Sequence, residues 1–457
     1  MSNILDLVDQ TFFLGEQATG VTAVLQCVWV YNNAIDIDGL RQFHRHLQEG
    51  RLSRRIERSP LPFGRHRWVA PSGQSDLEIV ATPRPREEFD AWLSEQANTP
   101  LDAEHGPGWH LAVLPFTDGG AGLSFVISHS LIDGVGLCEA LADAASGRDD
   151  PISWPAAGSR RRWQALREDA RQTARDLPAV GRAVVAVARF ARGNRGTDGS
   201  GTQRPSTLLS PLVGPPERVA LAKATIFVDA DEWDARAHSL GGTSNALLAG
   251  LAACLAQRVG RVARDGFATL AIPVNERTAD DTRANAITSV DITVDPEAAA
   301  TDLREIRAAI KQALIRYQEV PDERLAALPL APLLPQWLVR RMVSVALGGA
   351  TASGSSNLGA VNPAASVLAY QPGRHDSNDA LQQAISNART DISSADERAV
   401  RISPRWPTPH GATRMRRIPL TSRVSAMRKT AENVAFAGYR VQARHSCKRR
   451  RTLDCSK

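Results

Sequence analysis

The chain has 457 residues, 43% of them hydrophobic and 23% charged, which excludes a collagenous, disulfide-stapled or wholly disordered polypeptide and allows about three compact units, or two larger ones with a tail. The net charge of +6 is unevenly spread: Gln371 to Lys457 carry 18 Lys and Arg against 7 Asp and Glu, leaving 37 against 42 in residues 1–370, so the body is mildly acidic and nucleic acid is not an expected partner of it. No apolar run reaches the roughly 20 residues of a membrane span, the start MSNILDLVDQTFF has no signal-peptide character, and Cys27, Cys138, Cys254, Cys447 and Cys455 form no C-x-x-C pair; a cytoplasmic protein with reduced thiols and no resident metal is expected.

Val21 to Tyr31, rich in β-branched and aromatic residues and closed by Asn32-Asn33, reads as a buried strand. Asp38 is expected to cap a helix over GLRQFHRHL with Leu40, Phe43 and Leu47 on one face. His44 and His46 on that helix point different ways and make a poor metal pair. Trp109–Phe116 and Leu123–His129 flank the turn residues Thr117 to Gly122 and read as a hairpin, followed by a helix over Leu137–Ala145. Residues 154–216 hold Arg-rich helical segments, in which Arg160-Arg161-Arg162 with AVGRAVVAVARFAR reads as a solvated helix face or as a basic amphipathic surface for anionic lipid, and then a Gly-, Ser- and Pro-rich connection. Beyond it come a strand at Val219–Val228, a helix capped at Thr243-Ser244-Asn245, strands at Ala268–Pro273 and Ile287–Val294, and a helix over Ala299–Tyr317. The apolar stretch Leu325–Leu347, broken by Pro329, Pro332 and Pro335, is expected to line a tunnel or lie at an interface. Strands and helices alternate in both halves, so the class is α/β or α+β with two units.

Chemistry concentrates in Ser128-His129-Ser130-Leu131-Ile132-Asp133-Gly134, where a strong strand passes into a loop. A histidine held on a rigid strand end, with its ordinary pKa near neutrality, suits a general base. A bare H-x-x-x-D, a short pattern that recurs by chance, is more often a satisfied histidine beside a turn.

The run Pro100 to Leu137, containing Pro100-Leu101-Asp102 and His129-x-x-x-Asp133-Gly134, resembles the motif region of the CoA-dependent acyltransferase superfamily, with Ser128 in place of the first histidine of H-H-x-x-x-D-G. Four further stretches are similar, in order, to the bacterial wax ester synthase/diacylglycerol acyltransferase branch: Leu7 to Leu14 with Asp9, Arg54-Arg55 with Arg67-Trp68-Val69, Pro273-Val274-Asn275-Glu276-Arg277 with Asn285 downstream, and Ser356-Asn357-Leu358-Gly359. The resemblance spans about residues 5–365. It implies two chloramphenicol-acetyltransferase-like subdomains with a tunnel between them, at residues 1–153 and 217–370, joined by the helical crossover and linker 154–216 and followed by a basic, low-order tail 371–457. It implies His129 as general base, Asp133 holding the loop through a salt bridge, Gly134 permitting the turn and Ser128 beside them, with Asn275, Arg277, Ser356 and Asn357 as substrate or interface residues. It also implies acyl-CoA as cosubstrate with no permanently bound cofactor, a diacylglycerol or long-chain alcohol acceptor, and peripheral contact with a membrane or lipid droplet. A carrier-protein acyl donor and a catalytically silent paralogue stay open. The tail is either the product of a disrupted reading frame, leaving the second subdomain short of strands, or a genuine basic arm.

Overall fold

The computed structural model describes residues 3–71, 73, 75–147, 152–193, 228–278, 281–319, 326–341, 353–359, 362–366 and the backbone of 433–443. The chain opens with helix α1 (Leu7–Thr19), whose first turn is capped by the Asp6 carboxylate accepting from Val8 N–H at 2.9 Å. It continues through β1 (Val21–Tyr31), α2 (Ile37–Glu49), β2 (Arg55–Glu57), β3 (Arg67–Val69), β4 (Leu77–Ile79), α3 (Phe89–Gln96), β5 (Trp109–Pro115), β6 (Ala121–Ser128), α4 (Gly134–Ala145) and the 32-residue α5 (Arg162–Gly193). The second half holds α6 (Ala230–Ser239), α7 (Ser244–Arg258), β7 (Ala268–Asn275), β8 (Ile287–Val294), α8 (Pro296–Ala299), α9 (Arg304–Glu319) and β9 (Ser353–Gly354), and the last described element is β10 (Asn433–Ala443). The protein is a mixed α/β structure with helices packed on two main sheets.

The first sheet runs β10-β1-β6-β5-β4, antiparallel except for β4 beside β5. Strand side chains alternate between faces, and both faces of this sheet are covered. Cys27, Trp29, Leu111, Val113, Leu123, Phe125 and Ile127 meet Leu40, Phe43 and Leu47 of α2 and Leu137 and Leu141 of α4, while Val28, Ala112 and Leu114 meet Trp92 and Leu93 of α3. That is why every residue of β6 is buried. The second sheet, β8-β7-β9, buries Leu270, Ile292 and Val294 against α7, against Leu303 just before α9 and against Ile306 and Ile310 within it.

The expected hairpin, the strands at Val21–Tyr31 and Ile287–Val294 and the Thr243 cap are present, with the Thr243 hydroxyl accepting from Ala246 N–H at 3.3 Å. The cap of α2 is Asp36, which accepts from Asp38 N–H at 3.0 Å; Asp38 itself lies in the first turn and pairs with Arg41. The helix expected over Ala299–Tyr317 breaks into α8 and α9, because Leu303 leaves the helix to pack beneath α7. Arg160 is no solvated face: it bonds Asp169 at 2.8 Å and Glu57 at 3.4 Å, and Asp169 on α5, buried, also takes Ser59 and Arg67, which docks α5 onto the first unit. Within Leu325–Leu347, Leu328–Leu333 forms a 3-10 helix lying against α1 and α5. The expected strand at Val219–Val228 lies outside the described residues except for Val228, which is not in a strand. In the stretch 371–457, β10 is described, antiparallel to β1.

The two halves interleave. Ala284 and Ala365 are buried in the first unit's core, and the Trp29 indole donates to the Ala365 carbonyl at 3.0 Å. Among the described residues no single helix is long and apolar enough to cross a membrane. Phe125 sits at the centre of the larger core with no exposure, so Phe125→Ala is expected to cost about 3–5 kcal/mol, read as a lower urea midpoint with unchanged slope; a loss under about 1 kcal/mol would contradict this core.

Candidate active site

β6 ends at Ser128 and delivers His129 into a loop that α4 closes five residues later. The loop cannot drift, because its backbone is bonded on three sides: Ser128 N–H to Gly108 O at 3.0 Å, His129 N–H to Ala23 O at 2.9 Å, and Asp133 N–H to Ala284 O at 2.9 Å. His129 is fully buried, with its ring stacked on Phe12 of α1 at 5.1 Å between centroids and 2° between planes. Burial holds its pKa below the ordinary histidine value; the backbone, the Asp133 charge and a contact with the Asn285 carboxamide pull the other way without cancelling it. The ring is therefore neutral near pH 7 and able to accept a proton.

Asp133 accepts three hydrogen bonds. One oxygen caps α4 by accepting from Gly136 N–H at 2.7 Å, and the other accepts from Arg277 Nη2 at 2.7 Å and Ala286 N–H at 2.8 Å. Both side chains of the Asp133–Arg277 pair are almost wholly shielded, at 1% and 2% exposure. Arg277 also donates from its terminal nitrogens to the carbonyls of Asp281 at 3.3 Å, Arg283 at 3.0 Å and Ala284 at 2.9 Å. A buried pair is tolerable only with this degree of satisfaction.

The same stretch of backbone is held by a second carboxylate. Asp9 on α1 accepts from Ala284 N–H at 2.9 Å and from Asn285 N–H at 2.7 Å and Nδ2 at 3.2 Å, and Asn285 Nδ2 also donates to the His129 carbonyl at 3.1 Å. Burial raises Asp9 to about 6 against the lowering effect of these donors and of Arg54. Arg54 lies over Trp68 at 4.2 Å, with its hydrogens on Leu131 O at 2.8 Å and Thr282 O at 2.6 Å, and burial lowers it to about 10. Ser128, which stands where the family motif has its first histidine, points its hydroxyl at Glu16 at 3.3 Å.

Of the expected site residues, the structure brings together Ser128, His129, Asp133, Gly134 and Arg277. Gly134 is the first residue of α4 and has no positive φ; the turn does not draw on glycine's backbone freedom, and what matters is space, since a Cβ there would lie 2.8 Å from Leu358. Asn275 accepts from Arg277 N–H at 3.0 Å at the exposed end of β7. Ser356 and Asn357 are exposed, Asn357 bonding Asn245 at 2.6 Å, and only the neighbouring Leu358 reaches the loop. Phe12, Asp9, Asn285 and Arg54 complete the site and were not singled out as site residues; the sequence signal for all four was their place in the quoted motifs. A hollow of about 320 Å³ opens beside Asp9, between Asp6, Arg65, Trp68 and Arg283. Among the described residues no cluster of histidine, cysteine or carboxylate side chains could hold a metal ion.

No protein-family model and no curated protein matches the chain. Among solved structures it is similar to the first condensation domain of the CDA synthetase (15% identity, TM-score 0.46, covering 79% of this chain and 82% of that one). It is also similar to the starter condensation domain of rhizomide synthetase RzmA (15%, TM-score 0.39, 76% of each chain) and to the X-domain from teicoplanin biosynthesis (14%, TM-score 0.39, 73% and 74%). At this distance the likeness decides nothing about chemistry, and none of these three is a wax ester synthase or diacylglycerol acyltransferase.

Replacing Arg277 by Met removes one half of the buried pair and strands Asp133, which is expected to cost about 3–5 kcal/mol. The Arg277→Met, Asp133→Asn double variant is expected to recover part of that loss. Chemical denaturation of the four proteins measures this, and additive single effects would contradict the pairing.

Proposed function

We propose that the chain is an O-acyltransferase that moves a fatty acyl group from acyl-CoA to the hydroxyl of a diacylglycerol or a long-chain alcohol, with His129 as general base. The observation that carries this reading is a neutral imidazole, fixed at the end of a buried strand, beside a loop whose carboxylate, Asp133, is committed to Arg277 and α4. Asp133 holds the loop through Arg277 and the start of α4. The base then takes the proton of the acceptor hydroxyl as its oxygen attacks the thioester carbon, the C–S bond breaks and the proton passes to the leaving CoA thiolate. Acyl-CoA as donor and a lipid alcohol as acceptor rest on the motif resemblance, and a lipid acceptor puts this chemistry at a lipid surface that the protein contacts peripherally.

In the structure Phe12 stacks on one face of the imidazole, which leaves the in-plane ring nitrogens to meet the acceptor hydroxyl. Asp133 and the long stem of Arg277 lie behind the loop and take no part in proton transfer.

The test is CoA release with ester formation from a long-chain acyl-CoA and the two acceptors, run beside the same acyl group on a pantetheine carrier protein. His129→Ala is expected to lower turnover about 10²–10⁴-fold with the fold intact; equal release in both proteins would overturn the reading, and transfer only from the carrier would replace acyl-CoA as the donor. Because burial lowers the His129 pKa, activity lost on acidification reports protonation of a base below its ordinary value of about 6.5, so the acid limb of kcat/KM is expected below pH 6.5. A limb above that value would contradict a desolvated base.

A further inference from the structure

Four arginines, Arg51, Arg54, Arg277 and Arg283, line one small hollow together with the apolar side chains of Ile132 and Trp154. Three of the four face carboxylates: Arg277 pairs with Asp133 at 2.7 Å, Arg283 with Asp281 at 2.7 Å and Glu276 at 3.7 Å, and Arg51 with Glu139 at 3.6 Å and Asp143 at 3.9 Å. Arg54 has no ion pair among the described residues; its terminal nitrogens donate to the carbonyls of Thr282 at 2.6 Å and Leu131 at 2.8 Å. It is nevertheless buried, at 6% exposure. Its Nε has no hydrogen-bond partner, and neither has the buried Nε of Arg277. Asp9 does not make up the deficit by contact, because its two oxygens take the Ala284 and Asn285 amides. A cation withdrawn from water without an anion beside it is among the most costly groups a fold can contain.

We propose that this hollow is a binding site for one chloride-sized anion, held by the guanidinium groups of Arg54 and Arg277 and serving Arg54 as its counter-ion. Size selects the ligand. The space among the four arginines is about 10 Å³, room for one water-sized atom, so a halide is admitted where a phosphate, a sulfate or a carboxylate is too large. Charge selects it as well, since one monovalent ion balances the one arginine that lacks a carboxylate. Burial lowers the Arg54 pKa to about 10, with Asp9 and Asp133 raising it and Arg277 and Arg51 lowering it further, so Arg54 stays charged near pH 7 and still needs that balance. The apolar walls strengthen the attraction by keeping the local dielectric low. Because Arg54 holds the Leu131 carbonyl and Arg277 holds Asp133, the ion fastens the loop after His129 to the 282–283 backbone. This is a ligand site apart from acyl transfer and does not rest on that reading.

The test is thermal unfolding of the full-length chain in sodium chloride, sodium bromide and sodium gluconate at matched ionic strength, which holds general screening constant. Chloride and bromide are expected to raise the melting temperature of the wild type above its value in gluconate, saturably and by about 2–4 °C. Arg54→Met removes the uncompensated cation and is expected to abolish that difference. Arg51→Gln, at the more open rim of the hollow, serves if the first variant does not fold and is expected to weaken halide affinity about tenfold. The ³⁵Cl NMR line gives a second reading that is independent of stability: the wild type is expected to broaden it by exchange, and the variants to broaden it less. Equal melting temperatures in chloride and gluconate would overturn the proposal. So would a halide response or line broadening that is the same in the wild type and in either folded variant, which would mean an adventitious ion only. Neither measurement reads CoA release, so the result stands or falls apart from the acyltransfer reading.

Discussion

The Asp133–Arg277 pair is the constraint on which the rest of the site depends. A carboxylate and a guanidinium shielded from water cost several kcal/mol each unless nearly every lone pair and hydrogen is used, and that requirement dictates the surroundings. Asp133 must begin α4, because the free N–H groups of a helix start supply an acceptor-hungry partner. Arg277 must leave the end of β7 and curl over its own following loop to reach three carbonyls and the carboxylate. The Ala284–Ala286 backbone is drawn in with them and is held from the other side by Asp9. Two segments separated by about a third of the chain therefore become one rigid piece, and His129 is the residue caught in the middle of it.

Small residues follow from the same demand for closeness. A Cβ on Gly136 would lie 2.9 Å from the Arg277 guanidinium, and one on Gly134 would strike Leu358. Both glycines of the Asp133-Gly134-Val135-Gly136 turn are thus places where another part of the protein must approach, and neither needs a left-handed backbone. The same packing stacks Phe12 of α1 on one face of the buried imidazole, so α1 fixes the plane of the ring.

Much of this was legible in the sequence. Alternation and turn residues located the hairpin that carries His129, and the order of the motifs joined Asp9, Arg54, His129, Arg277 and Asn285 before any of them could be placed in space. What the residues could not disclose was direction. Nothing in local sequence says that Arg277 rather than Asn275 turns inward, that Asn357 spends its amide on Asn245, or that Asp36 outcompetes Asp38 as a cap, because each outcome is set by packing between distant elements. The short strands β2, β3 and β4, three residues apiece, carry too little periodicity to be seen. The split between α8 and α9 is a tertiary effect of Leu303 seeking the core beneath α7.

The central claim is that a hydroxyl oxygen, deprotonated by His129, becomes the ester oxygen. An alcohol acceptor labelled with ¹⁸O at its hydroxyl, incubated with acyl-CoA and the protein, tests it directly by mass spectrometry. The account predicts ester that keeps the label in its bridging oxygen, formed by the wild type and nearly absent with His129→Ala. Free fatty acid in place of labelled ester, or labelled ester formed equally by both proteins, would contradict it.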